Sequence, residues 1–204
     1  MRHFIFSLVI FGLCLSCSQQ TELVETEDEF GNVIKYTRNK KDYAKEGAFL
    51  LTTPGGVILE EANYVRDTLN GLRIMFYETG DTAVIEHYEM GKFAGPYKSF
   101  YVGGQLELEG SYIGNAMTGA WTRYYESGKL MEVVNFKDSE ENGPFIEYYE
   151  NGELKAEGTY LNGDNEHGEL KLYDEQGSLV RKMNCKMGIC RTTWEAESTA
   201  EENI

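Results

Sequence analysis

The sequence predicts an all-β protein: tandem β-hairpins of about 24 residues, paired into an elongated antiparallel meander. Three recurrences predict it. Gly47, Gly71, Gly95, Gly119, Gly143 and Gly168 follow one another at intervals of 24, 24, 24, 24 and 25 residues. Nine residues after each stands a second glycine: Gly56, Gly80, Gly104, Gly128, Gly152 and Gly177. Seventeen residues after each stands Tyr64, Tyr88, Tyr112, Phe136, Tyr160 or Cys185. Columns that stay in register over six copies describe one unit used repeatedly.

Each part of the unit has a physical reason. The second glycine closes a Tyr-Glu-x stretch in three of the six copies, where a tight turn needs a residue that tolerates positive φ. In GPFIEYYENGELKAEGTY, residues 143 to 160, the Asn151-Gly152 pair is itself a strong hairpin signal. An isolated hairpin is marginal in water, so the copies must pair edge to edge to share a core. The first glycine of each unit is read as the residue that turns one hairpin into the next.

Alternation assigns faces. In the second strand of a unit, Leu106, Leu108, Gly110 and Tyr112, or Leu154, Ala156, Gly158 and Tyr160, alternate with Glu107, Glu109, Lys155 and Glu157, so one face packs and the other is solvated. The first strand carries adjacent aromatics, which must point to opposite faces. Phe76, Phe100, Tyr124, Tyr148 and Tyr173 are expected to pack against the apolar columns. Tyr77, Tyr97, Tyr101, Trp121, Tyr125, Phe145 and Tyr149 are expected to form an exposed stripe and the candidate binding surface. Such rings give a protein partner large contact area at low entropy cost, and can also stack on sugars or hold a cation. The alternative is that both series are structural, as cross-strand pairs.

The run Gly-x-aromatic, then Tyr-Tyr-Glu-x-Gly-x-Leu, then Tyr and a following Gly resembles the MORN repeat, in the bacterial variant found in proteins grouped as the YwqK-type antitoxin family. The resemblance covers residues 43–190 as six hairpin repeats, and implies a scaffold or binding surface. Residues 17–42 are then a linker and partial repeat with Gly31 as its turn, and 191–204 an acidic tail expected to lack fixed structure for the most part, the alternative being that Trp194 folds back onto the last strand.

The first residues follow a different pattern. Met1-Arg2-His3 precedes FIFSLVIFGLCLS, an apolar run of 13 residues ahead of Cys17. A membrane-spanning helix needs roughly 20. A basic start and a short apolar core describe a secretory signal. Leu13-Cys14-Leu15-Ser16-Cys17 resembles the lipobox of bacterial lipoproteins, in the looser form of Bacteroidetes-type bacteria. That resemblance implies a signal peptide over residues 1–16, lipidation of Cys17, and an extracytoplasmic chain held on the outer membrane.

The formal net charge is −15. Residues 1–16 hold Arg2 and no acid, leaving 18 basic residues against 34 acidic ones. This balance argues against nucleic acid, which needs a basic footprint, and against docking on anionic headgroups. Membrane attachment is expected through the lipid anchor alone.

Export would place Cys185 and Cys190 in an oxidising compartment, where they are expected to form a disulfide; the alternative is two free thiols with Cys185 filling a core slot. Two thiolates without a nearby histidine cannot complete a zinc site. His87 and His167 lie three units apart, and no nucleophile elbow or phosphate loop is present in the sequence. Neither an enzyme, a cofactor nor a metal is expected. The partner is expected to be a protein of the envelope. Two alternatives stay open: a toxin that the chain masks, its acidic surface suited to a basic target, or an envelope glycan.

Overall fold

The computed structural model describes residues 20–197, which form one open antiparallel sheet of 17 strands. The N-terminal strands are β1 (Thr21–Glu27), β2 (Val33–Asn39), β3 (Lys45–Thr52) and β4 (Ile58–Val65). Next come β5 (Thr68–Leu69), β6 (Gly71–Phe76), β7 (Thr82–Glu89), β8 (Lys92–Phe93), β9 (Gly95–Phe100) and β10 (Leu106–Ile113). The last are β11 (Ala116–Tyr124), β12 (Leu130–Lys137), β13 (Glu140–Tyr148), β14 (Leu154–Tyr160), β15 (Gly168–Tyr173), β16 (Leu179–Lys186) and β17 (Ile189–Glu195). Strands pair with their neighbours in sequence, as in β11 with β12 and β12 with β13, except that β5 and β6 both lie on β4, and β8 and β9 both on β7. The meander expected from the repeats is the fold.

Two kinds of turn alternate along it. At one edge, the Gly128 amide donates to the Tyr125 carbonyl (2.8 Å) and the Tyr125 amide to the Lys129 carbonyl (2.9 Å). Gly128 takes φ +82°, so the turn is a tight loop closed by a left-handed glycine, which bends the strand as a bulge. The same two bonds recur at Tyr77–Asp81, Tyr101–Gln105 and Tyr149–Glu153. Asn151-Gly152 is therefore the second half of a four-residue turn rather than a two-residue one.

At the other edge stand one three-residue loop, Asn162 to Asp164, closed by the Leu161 amide donating to the Asn165 carbonyl (2.9 Å), and two-residue turns with positive φ at both positions: Arg66-Asp67, Met90-Gly91, Gly114-Asn115, Asp138-Ser139 and Met187-Gly188. This is the backbone that a tight twisted hairpin requires. These turns, and not the glycines that begin each unit, reverse the chain between hairpins. The unit-start glycines lie inside or at the end of a strand, also at positive φ, as at Gly95 (+86°) and Gly143 (+119°). There they absorb a local irregularity in the ladder, seen as the shift in pairing between Val134 and Phe136 opposite β13.

The sheet extends beyond the six expected repeats. β1 and β2 form a further hairpin across Asp28–Asn32, with Gly31 at φ +80°, inside the segment expected to be linker and partial repeat. β17 takes up residues expected to belong to a tail, and Trp194 pairs in register with Lys182. Three features hold it there: the Arg181–Glu195 ion pair, the register across Met187-Gly188, and a disulfide between Cys185 and Cys190. Cys17, the signal over 1–16 and residues 198–204 lie outside the described residues.

A repeat array is stabilised by nearest neighbours, so the disulfide acts locally. Reduction should raise amide hydrogen exchange in β15–β17 and leave β6–β10 unchanged. Exchange mass spectrometry reads the difference directly.

Candidate functional site

The register decides which side chains share a face. Gly119 pairs with Phe136, Trp121 with Val134 and Arg123 with Glu132, so Trp121 lies on the same face as the tyrosine column. Phe145 opposite Gly158 repeats the arrangement. This is the packed face. Trp121 is 3% exposed, Phe145 5% and Cys185 2%.

Two glycines seat the rings. A Cβ on Gly110 would stand 2.2 Å from the Trp121 ring, and one on Gly158 2.8 Å from Phe145. Neither position has positive φ, so the space alone demands glycine there. From this seat the rings form a chain: Tyr88 to Phe93 (4.6 Å), Phe93 to Tyr112 (5.0 Å), Tyr112 to Trp121 (5.1 Å) and Trp121 to Phe136 (6.2 Å). Tyr97 joins at 5.5 Å from Trp121. Phe145 and Tyr160 stack separately at 4.2 Å.

The expected exposed stripe is therefore divided. Tyr97, Trp121 and Phe145 are packing residues. Tyr77, Tyr101, Tyr125 and Tyr149 stand at the first kind of turn, where each hydroxyl donates to a main-chain carbonyl of the next unit. Their acceptors are Phe100 (2.6 Å), Tyr124 (2.9 Å), Tyr148 (2.8 Å) and Tyr173 (2.9 Å). The series expected to pack lies on the opposite, open face, where Tyr124 donates to Glu109 and Tyr173 to Glu157. That face also carries the Lys98–Glu109 and Lys171–Glu157 ion pairs. The physical reason is pairing parity. The hairpin aligns even columns of the first strand with odd columns of the second, which puts the Trp121 column, not the Tyr124 column, beside Tyr112 and Phe136.

The packed face changes character along its length. In the second unit Arg73 occupies the column of Trp121 and pairs with Glu60 (2.8 Å) and Glu86 (3.2 Å), while Tyr88 donates to Glu86 (3.0 Å). Glu86 is only 7% exposed, so this polar group is held by its partners. Burial, then the Glu86 carboxylate, pushes the Tyr88 hydroxyl up to about 12. Near the start of the array, Lys45 lies over Tyr36, Phe49 and Tyr64, 5.4, 5.2 and 4.9 Å from their centroids.

Two grooves open on this face. One of about 200 Å³ is lined by Trp121, Phe136 and Tyr160 with Glu132, Glu141 and Asp164. The next, about 430 Å³, is lined by Phe145, Tyr149, Tyr160, Glu166 and Leu170. Burial first, then Glu147, Glu166, Glu132 and Glu141, pushes the Tyr160 hydroxyl up to about 12. Both grooves are aromatic at the floor; the first sets Glu132, Glu141 and Asp164 against Arg123 and is negative at its rim, whereas the second balances Glu147 and Glu166 with Lys155 and Arg181. Among the described residues no cluster of His, Cys, Asp and Glu could hold a metal ion. His87 places Nδ1 2.9 Å from the Pro96 carbonyl, a bracing contact on the open face.

The glycine seats make a sharp test. Gly110→Ala and Gly158→Ala should each cost about 1–3 kcal/mol in urea unfolding, by overpacking. Gly55→Ala, whose nearest neighbour would be Thr53 Oγ1 at 3.7 Å, should be near neutral.

Among curated proteins none matches the chain significantly. The family described as MORN repeat variant matches at residues 117–138, 141–162 and 166–186. Each matched stretch begins just after a turn between hairpins, crosses the left-handed glycine and ends at the next such turn. The units built on β11 to β16 are thus similar to the MORN repeat variant, in the same register as the hairpins.

Proposed function

We propose that the chain is a non-enzymatic binding protein of the bacterial envelope, anchored by lipid on Cys17, that takes a protein partner on the packed face of its repeats. One observation carries this reading: a sheet one layer thick leaves its ring-floored grooves, the first of them rimmed by an excess of carboxylates, without a covering layer among the described residues. Grooves of this kind suit extended, positively charged protein surface, because aromatic anchors supply contact and complementary charge orients the encounter.

An antitoxin or immunity role is the same reading with a basic toxin as partner. An envelope glycan is the alternative ligand, since exposed ring edges can stack on sugars.

Immobilised chain should retain one envelope polypeptide stoichiometrically, identified by quantitative mass spectrometry. Glu166→Lys, which reverses a carboxylate at the groove beside Tyr160, should lose that polypeptide without a change in melting. Retention of no protein, with binding on a glycan array, would favour the glycan reading. Cys17→Ser should abolish incorporation of a palmitate analogue and release the chain from the membrane fraction; persistent labelling would contradict the anchor.

A further inference from the structure

The ring chain of the packed face ends at Phe136, and rings resume with Phe145 and Tyr160. Between them, over Val134, lies the cavity of about 200 Å³. Three observations bear on what fills it.

The first is an unmet donor. The indole N–H of Trp121, a residue on the cavity wall, is sealed from solvent and finds no acceptor; it is the one such buried side-chain atom among the described residues. A buried donor without a partner costs free energy that an incoming acceptor would recover. The second is unbalanced charge. Glu132 is held by Arg123 at 3.3 Å, but Glu141 and Asp164 make no ion pair among the described residues. They stand together because the Gly163 amide donates to the Glu141 carbonyl (3.1 Å), which draws the turn before Asp164 onto β13. Burial raises the Tyr160 hydroxyl first, and Glu132 and Glu141 of this cavity add to it.

The third is a precedent within the chain. Two residues before each unit-start glycine, one position faces the tyrosine column across the turn between hairpins. It holds Leu69 opposite Tyr64, Phe93 opposite Tyr88 and Met117 opposite Tyr112, but Glu141 opposite Phe136 and Glu166 opposite Tyr160. Where the array begins, the same position holds Lys45, whose ammonium lies over Phe49 and Tyr64. The face therefore accommodates a cation over its rings when the chain supplies one. At Glu141 the chain supplies a carboxylate instead, and the rings lack their cation.

We propose that this cavity binds a lysine or arginine side chain presented by an extended segment of the partner protein. The cation sits against Phe136 and Tyr160, between the Glu141 and Asp164 carboxylates, and the Trp121 ring tilts on binding to bring its indole hydrogen to a backbone carbonyl of the segment. The site rests on the protein-binding reading above and names the chemistry of the partner at that groove. Cation–ring attraction strengthens where water is partly excluded, and the paired carboxylates add charge selectivity.

The test uses the full chain in non-ionic detergent with Trp194→Phe, so that emission reports Trp121 alone. The probes are N-acetyl-arginine methylamide and its neutral isostere, the citrulline derivative. The arginine compound should shift Trp121 emission saturably, and the citrulline compound should not. Glu141→Gln with Asp164→Asn should weaken the arginine response at least about fivefold while leaving the melting temperature unchanged. Equal response to both compounds, no saturable response, or a response indifferent to the double substitution would overturn the proposal. Because these probes need no partner, their failure is separable from failure to retain an envelope protein.

Discussion

A sheet one layer thick has no second layer against which to bury its apolar side chains, and that constraint shapes every other feature of the array. Most domains meet it by packing helices or another sheet on one face. Here the rings lie down along the sheet itself. Trp121 crosses onto the backbone of Gly110 and Phe145 onto Gly158, so burial comes from laying a large ring over a residue with no side chain. The exchange works only if ring and glycine stay opposite one another on adjacent strands. A slip by one residue would move the whole ring series to the other face.

Register is therefore the quantity the turns protect. The left-handed glycines fix one end of every hairpin, and the two-residue turns fix the other. The tyrosine hydroxyls then tie each turn to the following unit, from Tyr77 through Tyr149. At the C-terminal end the tie is covalent. Cys185 stands in the tyrosine column and Cys190 in the position that holds Phe93 opposite Tyr88, so the disulfide replaces a cross-strand ring contact where the rings have run out. At the N-terminal end Lys45 over three rings closes the face by other means.

Much of this was legible in the residues. Glycine spacing alone predicts the unit, its length and the meander, because the left-handed positions Gly80 to Gly177 admit few other residues. The second-strand columns predict the packed face. The first strand does not, because Tyr148 and Tyr149 are both aromatic and alternation cannot rank them. The deciding signal lay in another column: Gly110 and Gly158 stand where a ring needs space, and only Trp121 and Phe145 are placed to fill it. The two-residue turns were also readable, since Gly91, Asn115 and Asp138 mark positions of positive φ. The strand after Cys190 was not, because its residues are largely exposed and its place depends on long-range pairing with β16. The gap at Val134 likewise depends on which way neighbouring rings lean, which no local pattern encodes.

The burial of Trp121 tests the account most directly, because face assignment, glycine seating and groove chemistry all follow from it. In a Trp194→Phe chain, acrylamide quenching of the remaining indole measures its access to solvent. The account predicts a blue-shifted emission shielded from quencher until the sheet unfolds. Quenching close to that of a free indole in the folded chain would contradict it, and would return Trp121 to an exposed stripe.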